Sequence, residues 1–170
     1  MTISIILAIA ALSVPIIMRL AKGNASEPGT EPLRSVDLEA FRNLVDPEEE
    51  NYLRENLSPA EFRKIQRERM LAAIDYVKCA ASNAGILVHF AQRARQSADP
   101  ETAAAAGKLI DDALRLRTYA IKAIPLLYLG VLLPGRRISP ARVAESYELM
   151  TRQVVLLGLQ YPTGEISSAL

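Results

Sequence analysis

The stretch Ser58–Ser97, SPAEFRKIQRERMLAAIDYVKCAASNAGILVHFAQRARQS, decides the architecture. Ser58 stands as an N-cap, Pro59 takes the first helical position and Glu61 completes a capping box, while Leu57 and Phe62 are spaced as a hydrophobic staple. Only Gly85 interrupts the helical composition that follows. At 1.5 Å per residue such a helix runs about 60 Å, so the rest of the chain has to be arranged along it.

At 100° per residue, Phe62, Ile65, Ala73, Tyr76, Cys79, Ala80, Ala84, Leu87, Phe90, Ala91 and Ala94 share an apolar arc, which Met70, Val77 and Val88 widen. An arc that wide calls for two neighbouring helices. The remaining strip, with Asp75, Lys78, Ser82, His89, Gln92, Arg93 and Gln96, is expected to face water. His89 has no His, Cys or carboxylate three or four residues away and reads as a solvated histidine. Cys79 sits among alanines as an inert core thiol. Asn83 is different, because an amide on the apolar arc needs partners.

Working outward, Asp99 and Pro100 repeat the cap-then-proline start, and Glu101 to Leu133 form a second long helix joined by a turn short enough to make an antiparallel hairpin. Folding there brings Asn83 level with Leu114 to Arg117. Arg117 lies between Ile110, Ile121 and Ile124, so Asn83 and Arg117 are expected in one buried polar network, with Glu145 or Glu148 as a third member. The expected role is to set helix register. The run Ala123–Pro134, AIPLLYLGVLLP, is apolar all round, too short to span a bilayer, and should be kinked at Pro125. Burial is its favoured fate. The alternative is contact with a membrane surface or partner through Leu126, Leu127, Leu132, Leu133, Arg136 and Arg137. After Ser139 and Pro140, the residues Val143, Tyr147, Met150, Val154 and Leu157 make a coiled-coil-like seam, and Val155, Leu156 and Leu159 off the seam are further contact candidates.

Ahead of the long helix, Ser35–Val45 is amphipathic, and Asp46-Pro47 starts a second short helix that buries only Tyr52 and Leu53. Its first-turn acids Glu48, Glu49 and Glu50 complement the helix dipole, with no accompanying histidine to suggest a metal. Residues 1–20 begin with the uncharged run MTISIILAIAALSVPIIM, closed by Arg19 and Lys22. This reads as an uncleaved single-pass transmembrane anchor with the N-terminus outside and the remainder cytoplasmic; cleavage as a signal peptide with export is the alternative. Residues 21–34 then form a flexible linker, 35–160 a helical domain and 161–170 a frayed tail. The fold expected is all-α: a transmembrane helix, then a long antiparallel hairpin packed with a third main helix and short N-terminal helices, an elongated three-helix-type bundle.

Twenty Lys and Arg balance nineteen Asp and Glu, so no bulk positive charge argues for nucleic acid. A single cysteine gives neither a disulfide nor a zinc motif. No phosphate-binding loop, dinucleotide fingerprint, HExxH or nucleophile elbow occurs, so no catalytic, metal or cofactor residue is assigned. An enzyme would have to use Arg117, Asn83, Tyr119 or Asp75 in an unfamiliar arrangement. The expectation is a non-catalytic scaffold or accessory subunit of a membrane complex, with lipid contacts through residues 1–20 and a protein partner or second copy. The alternative is a lipid- or ligand-binding bundle, with room left by Ala80, Ala81, Ala84, Gly85 and Ala103–Gly107.

Overall fold

In the computed structural model, which describes residues 33–134 and 140–156, every regular element is an α-helix: α1 (Leu38–Val45), α2 (Pro47–Asn56), α3 (Pro59–Ala94), α4 (Pro100–Leu132) and α5 (Ala141–Leu156). The starts of α1 to α4 each have a local chemical cause. The Asp37 and Asp46 carboxylates accept from the Ala40 and Glu48 amides at 2.9 Å. Ser58 and Glu61 form the reciprocal capping box of α3, and Asp99 accepts from the Glu101 and Thr102 amides of α4. In Glu61 and Asp99 such bonds favour the charged carboxyl. The Ser58 hydroxyl, then its amide, holds Glu61 below its ordinary pKa, and the Thr102 hydroxyl does most to lower Asp99.

The α3–α4 hairpin is the body of the fold. Small residues, including Ala73, Ala80, Ala84, Ala106, Ala113 and Ala120, are fully buried and let the two axes approach, while Leu87, Leu109, Leu116 and Leu127 fill the space between. The register follows the expectation from the short turn: the Arg67 Nε donates to the Val131 carbonyl at 3.3 Å, and Lys78 Nζ lies 3.3 Å from the Tyr128 hydroxyl. Helix α5 packs chiefly on α4 and brings Tyr147, Met150 and Val154 into the core, as the seam predicts. Pro125 lies inside α4, which continues through it to Leu132.

The run 123–134 is divided lengthwise. Ile124, Leu127, Gly130 and Pro134 are buried, whereas Leu126, Leu132 and Leu133 face out. Leu127, a candidate contact residue under the alternative, is a core residue, in keeping with the favoured burial of this run. Helix α2 also differs from expectation: Tyr52 is 63% exposed, and no residue of α2 is fully buried. Phe90, placed on the apolar arc, is exposed at its edge. Leu33 and Arg34, expected in the linker, belong to the bundle: Leu33 and Val36 pack on the core and Arg34 is held by Asn83.

The expected transmembrane segment 1–20, the expected linker as far as residue 32, Arg136, Arg137, Leu157, Leu159 and the expected tail lie outside the described residues, as do the side chains of Val143, Val155 and Leu156 of α5. Among the described residues one helix, α3, is long and apolar enough to cross a bilayer, with a best-window mean hydropathy of 1.3. Half of that window is buried inside the bundle. The core helix of a bundle meets the same criterion, so the measure sets no topology.

Candidate functional site

Four residues of α3 spaced seven apart, Phe62, Arg69, Tyr76 and Asn83, lie on one edge of the helix and each holds a different piece of the chain that precedes it. At the lower end, the Arg54 guanidinium of α2 sits 4.5 Å over the Phe62 ring. One step up, Arg69 Nη2 donates to the Asn43 and Leu44 carbonyls at 3.3 and 3.0 Å, while its Nη1 meets Glu49 at 3.0 Å. Those carbonyls lie in the last turn of α1, where that of Asn43 also accepts from the Asp46 amide, and the guanidinium places a positive charge at the negative end of the dipole. Next, the Tyr76 ring stacks on Phe41 with centroids 5.2 Å apart and planes within 3°.

Asn83 is the highest of the four and is completely buried. Its Oδ1 accepts from the Arg34 amide at 3.0 Å, and its Nδ2 donates to the Arg34 carbonyl at 2.7 Å and to the Tyr147 hydroxyl at 3.0 Å. One amide thus grips both polar groups of a backbone unit that lies outside any helix and ties it to α5. Residues 34, 41, 43–44 and 54 meet 83, 76, 69 and 62 in descending order, so the entering chain runs antiparallel to α3.

The expected buried amide is therefore in place, with Arg34 and Tyr147 as its partners. Arg117 is half-buried on α4, and its Nη1 lies 3.9 Å from where a Cβ on Gly85 would stand. Glu148 pairs with Arg42 of α1 and with Arg152. The hydrogen bond from Arg152, followed by that from Arg42, holds the Glu148 carboxyl below its ordinary range. Glu145 is exposed at the rim of a shallow open depression of about 270 Å³, lined also by Arg42, Asn43, Asp46, Pro47 and Ala141. That depression lies away from the alanines that could have left room for a guest; Ala80, Ala84 and Ala106 are fully buried in helix contacts.

Among candidate reactive groups, His89 is exposed, and burial pushes the half-buried Cys79 thiol up, against the pull of the Arg34 charge. Among the described residues, no three His, Cys, Asp or Glu side chains converge as a metal set. Beneath α2, Arg54 Nε, Gln66 Oε1 and Arg69 Nε have no hydrogen-bond partner among the described residues, although the same side chains engage Glu50 and Glu49 through their other atoms. Arg69 and Tyr147 were not singled out as site residues from the sequence. The signal was present: an arginine seven residues from both Phe62 and Tyr76, and a tyrosine hydroxyl on an apolar seam, both require polar partners.

What this arrangement can do is mechanical. It fastens the chain from Arg34 onward to one edge of the hairpin, and among the described residues no other helix is tied to the opposite edge. Comparison of the chain with family models, with curated proteins and with solved structures gave no match.

Proposed function

We propose that the protein is a membrane-tethered, non-catalytic helical module that serves as a scaffold or accessory subunit at a membrane. The observation that carries this reading is the grip of Asn83 on Arg34. An uncharged N-terminal run followed by a polar connector needs a firm attachment if the position of the bundle relative to the bilayer is to matter, and Asn83 supplies one at the residue where the connector ends. The edge that the described helices leave exposed, with Leu71, Leu114 and Leu132 along it, is then available for contacts. Arg19 and Lys22 after the apolar run favour an outside N-terminus and a cytoplasmic bundle.

The test uses the full chain in its native membrane. Alkaline washing should leave it in the membrane fraction, protease added from the cytoplasmic side should reach the bundle, and mild detergent should extract it with an integral membrane protein in fixed stoichiometry. Release by the alkaline wash, or protection of the bundle in sealed vesicles of the same orientation, would overturn the tethering and the topology respectively.

A further inference from the structure

The two long helices have unequal edges. On the covered edge, the chain from Asp37 to Glu55 carries seven carboxylates against Arg42 and Arg54. On the opposite edge of α3, Lys64, Arg67, Leu71, Lys78 and His89 fall within roughly 60° of one another, and on α4 the facing arc holds Ile110, Leu114, Ile121, Tyr128 and Leu132. Contacts between Lys78 and Tyr128 and between Arg67 and the Val131 carbonyl show that these two arcs adjoin. Among the described residues, no hydrogen bond or ion pair ties these side chains to α1, α2 or α5. Leu71, Leu114 and Leu132 are 46%, 48% and 56% exposed along it. Neither arc contains a carboxylate; the nearest on α3, Asp75, lies just outside and approaches Lys78 at 3.9 Å.

We propose that this open edge docks flat on an anionic bilayer surface, its leucines entering the interface and Lys64, Arg67 and Lys78 meeting lipid phosphates. Exposed leucines separated by cations suit a surface that is apolar below and negative above. A two-fold pairing of copies through the same edge would set its cations against one another without a carboxylate to answer them, which disfavours self-association. The inference rests on the tethered reading, because the edge needs a bilayer within reach. Leu114 and Leu132 are about 27 Å apart along α4, and the connector from Leu20 to Arg34 can extend roughly 45 Å, so the tether allows the hairpin to lie down.

The chain contains no tryptophan, so a single introduced one reports alone. Full-length Leu132→Trp, Leu114→Trp and, on α2, Tyr52→Trp would each be reconstituted in phosphatidylcholine vesicles carrying brominated acyl chains, with and without phosphatidylglycerol. Docking predicts quenching of the first two only, dependent on phosphatidylglycerol and relieved by molar salt. Lys64→Ala and Arg67→Ala are each expected to weaken the docked state about fivefold. Both side chains are exposed, so folding should survive and is checked by circular dichroism. Unquenched emission from Leu132→Trp and Leu114→Trp overturns the proposal, as does a blue shift that depends on protein concentration and not on lipid, which would mean a second copy. Vesicle flotation reads the tether separately: a chain that floats with neutral vesicles yet stays unquenched keeps the tether and loses the docking. A chain that floats only with anionic vesicles, quenched at both leucine sites, loses the tether and keeps the docking.

Discussion

The two edges of the α3–α4 hairpin belong to the same pair of helices, yet one is closed by specific polar devices and the other is not closed by any described element. On the closed edge, each contact joins a definite pair: Asn83 with Arg34 and Tyr147, Arg69 with the end of α1, Tyr76 with Phe41. On the open edge, leucines stand singly among cations, and among the described residues the polar contacts of Lys78 and Arg67 stay within the hairpin. The contrast teaches that hydrophobic pattern alone did not decide which edge would be covered. Both edges offer apolar surface. Only one offers buried hydrogen-bonding groups placed to receive an entering backbone, and a buried amide or guanidinium without partners would be costly.

The sharpest way to break this comparison lies in two adjacent residues of the same apolar run. Leu127 is completely buried and Leu126 is 51% exposed. Leu127→Ala should cost roughly 2–5 kcal/mol through lost burial and an unfilled cavity, whereas Leu126→Ala should change stability by no more than about 0.5 kcal/mol. Urea denaturation of the two variants measures the difference. Equal losses would mean that something covers Leu126 in the folded protein and that the outward face of 123–134 is not open.

Next in size is Asn83→Ala. It strands the amide and carbonyl of Arg34 and removes a partner of the Tyr147 hydroxyl, at a cost of roughly 2–3 kcal/mol. Hydrogen exchange should show lost protection at the Arg34 amide and quicker exchange in α1, while the α3–α4 core stays protected. Tyr147→Phe, which removes one hydroxyl and leaves the grip on Arg34, should cost about 1 kcal/mol and leave the Arg34 amide protected. If the two variants expose Arg34 equally, the attachment depends on α5 and not on the amide.

Much of this organisation was legible in the residues. The cap and proline pairs marked the starts of α2, α3 and α4, the short turn after α3 fixed the hairpin register, and the seam of α5 placed Tyr147, Met150 and Val154 inside. Asn83 stood out because an amide on an apolar arc demands partners. Its partners were not legible, because Arg34 contributes only backbone atoms, which every residue carries, and its neighbours 21–34 read by composition as a polar connector. Arg69 was hidden for a related reason: it lies within RKIQRER, where charge all round the helix suggests solvent, and nothing local says that its guanidinium will cap another helix. The division of 123–134 into a buried and an exposed face was also invisible, since an all-apolar run has no periodicity to say which side faces inward.

The smallest expected effect concerns the tie between α1 and α5. Arg42 and Glu148 are partly solvent-exposed, and Glu148 also receives Arg152 from its own helix, so the pair is screened and contributes modestly. Its direction is nevertheless fixed. The arginines hold the Glu148 carboxyl below its ordinary value in the folded protein, with Arg152 the larger influence, so the unfolded chain binds the proton more readily. The contribution to stability is therefore fully present above the unfolded glutamate value of about 4.3, and it is lost as pH falls through the lower folded value. Wild type should be more stable than Glu148→Gln at neutral pH, and the gap should close as the solution is acidified and narrow in molar salt. Denaturant midpoints collected across that range give the curve. A gap that widens with acid would reverse the sign and remove Glu148 from the contacts that distinguish the closed edge from the open one.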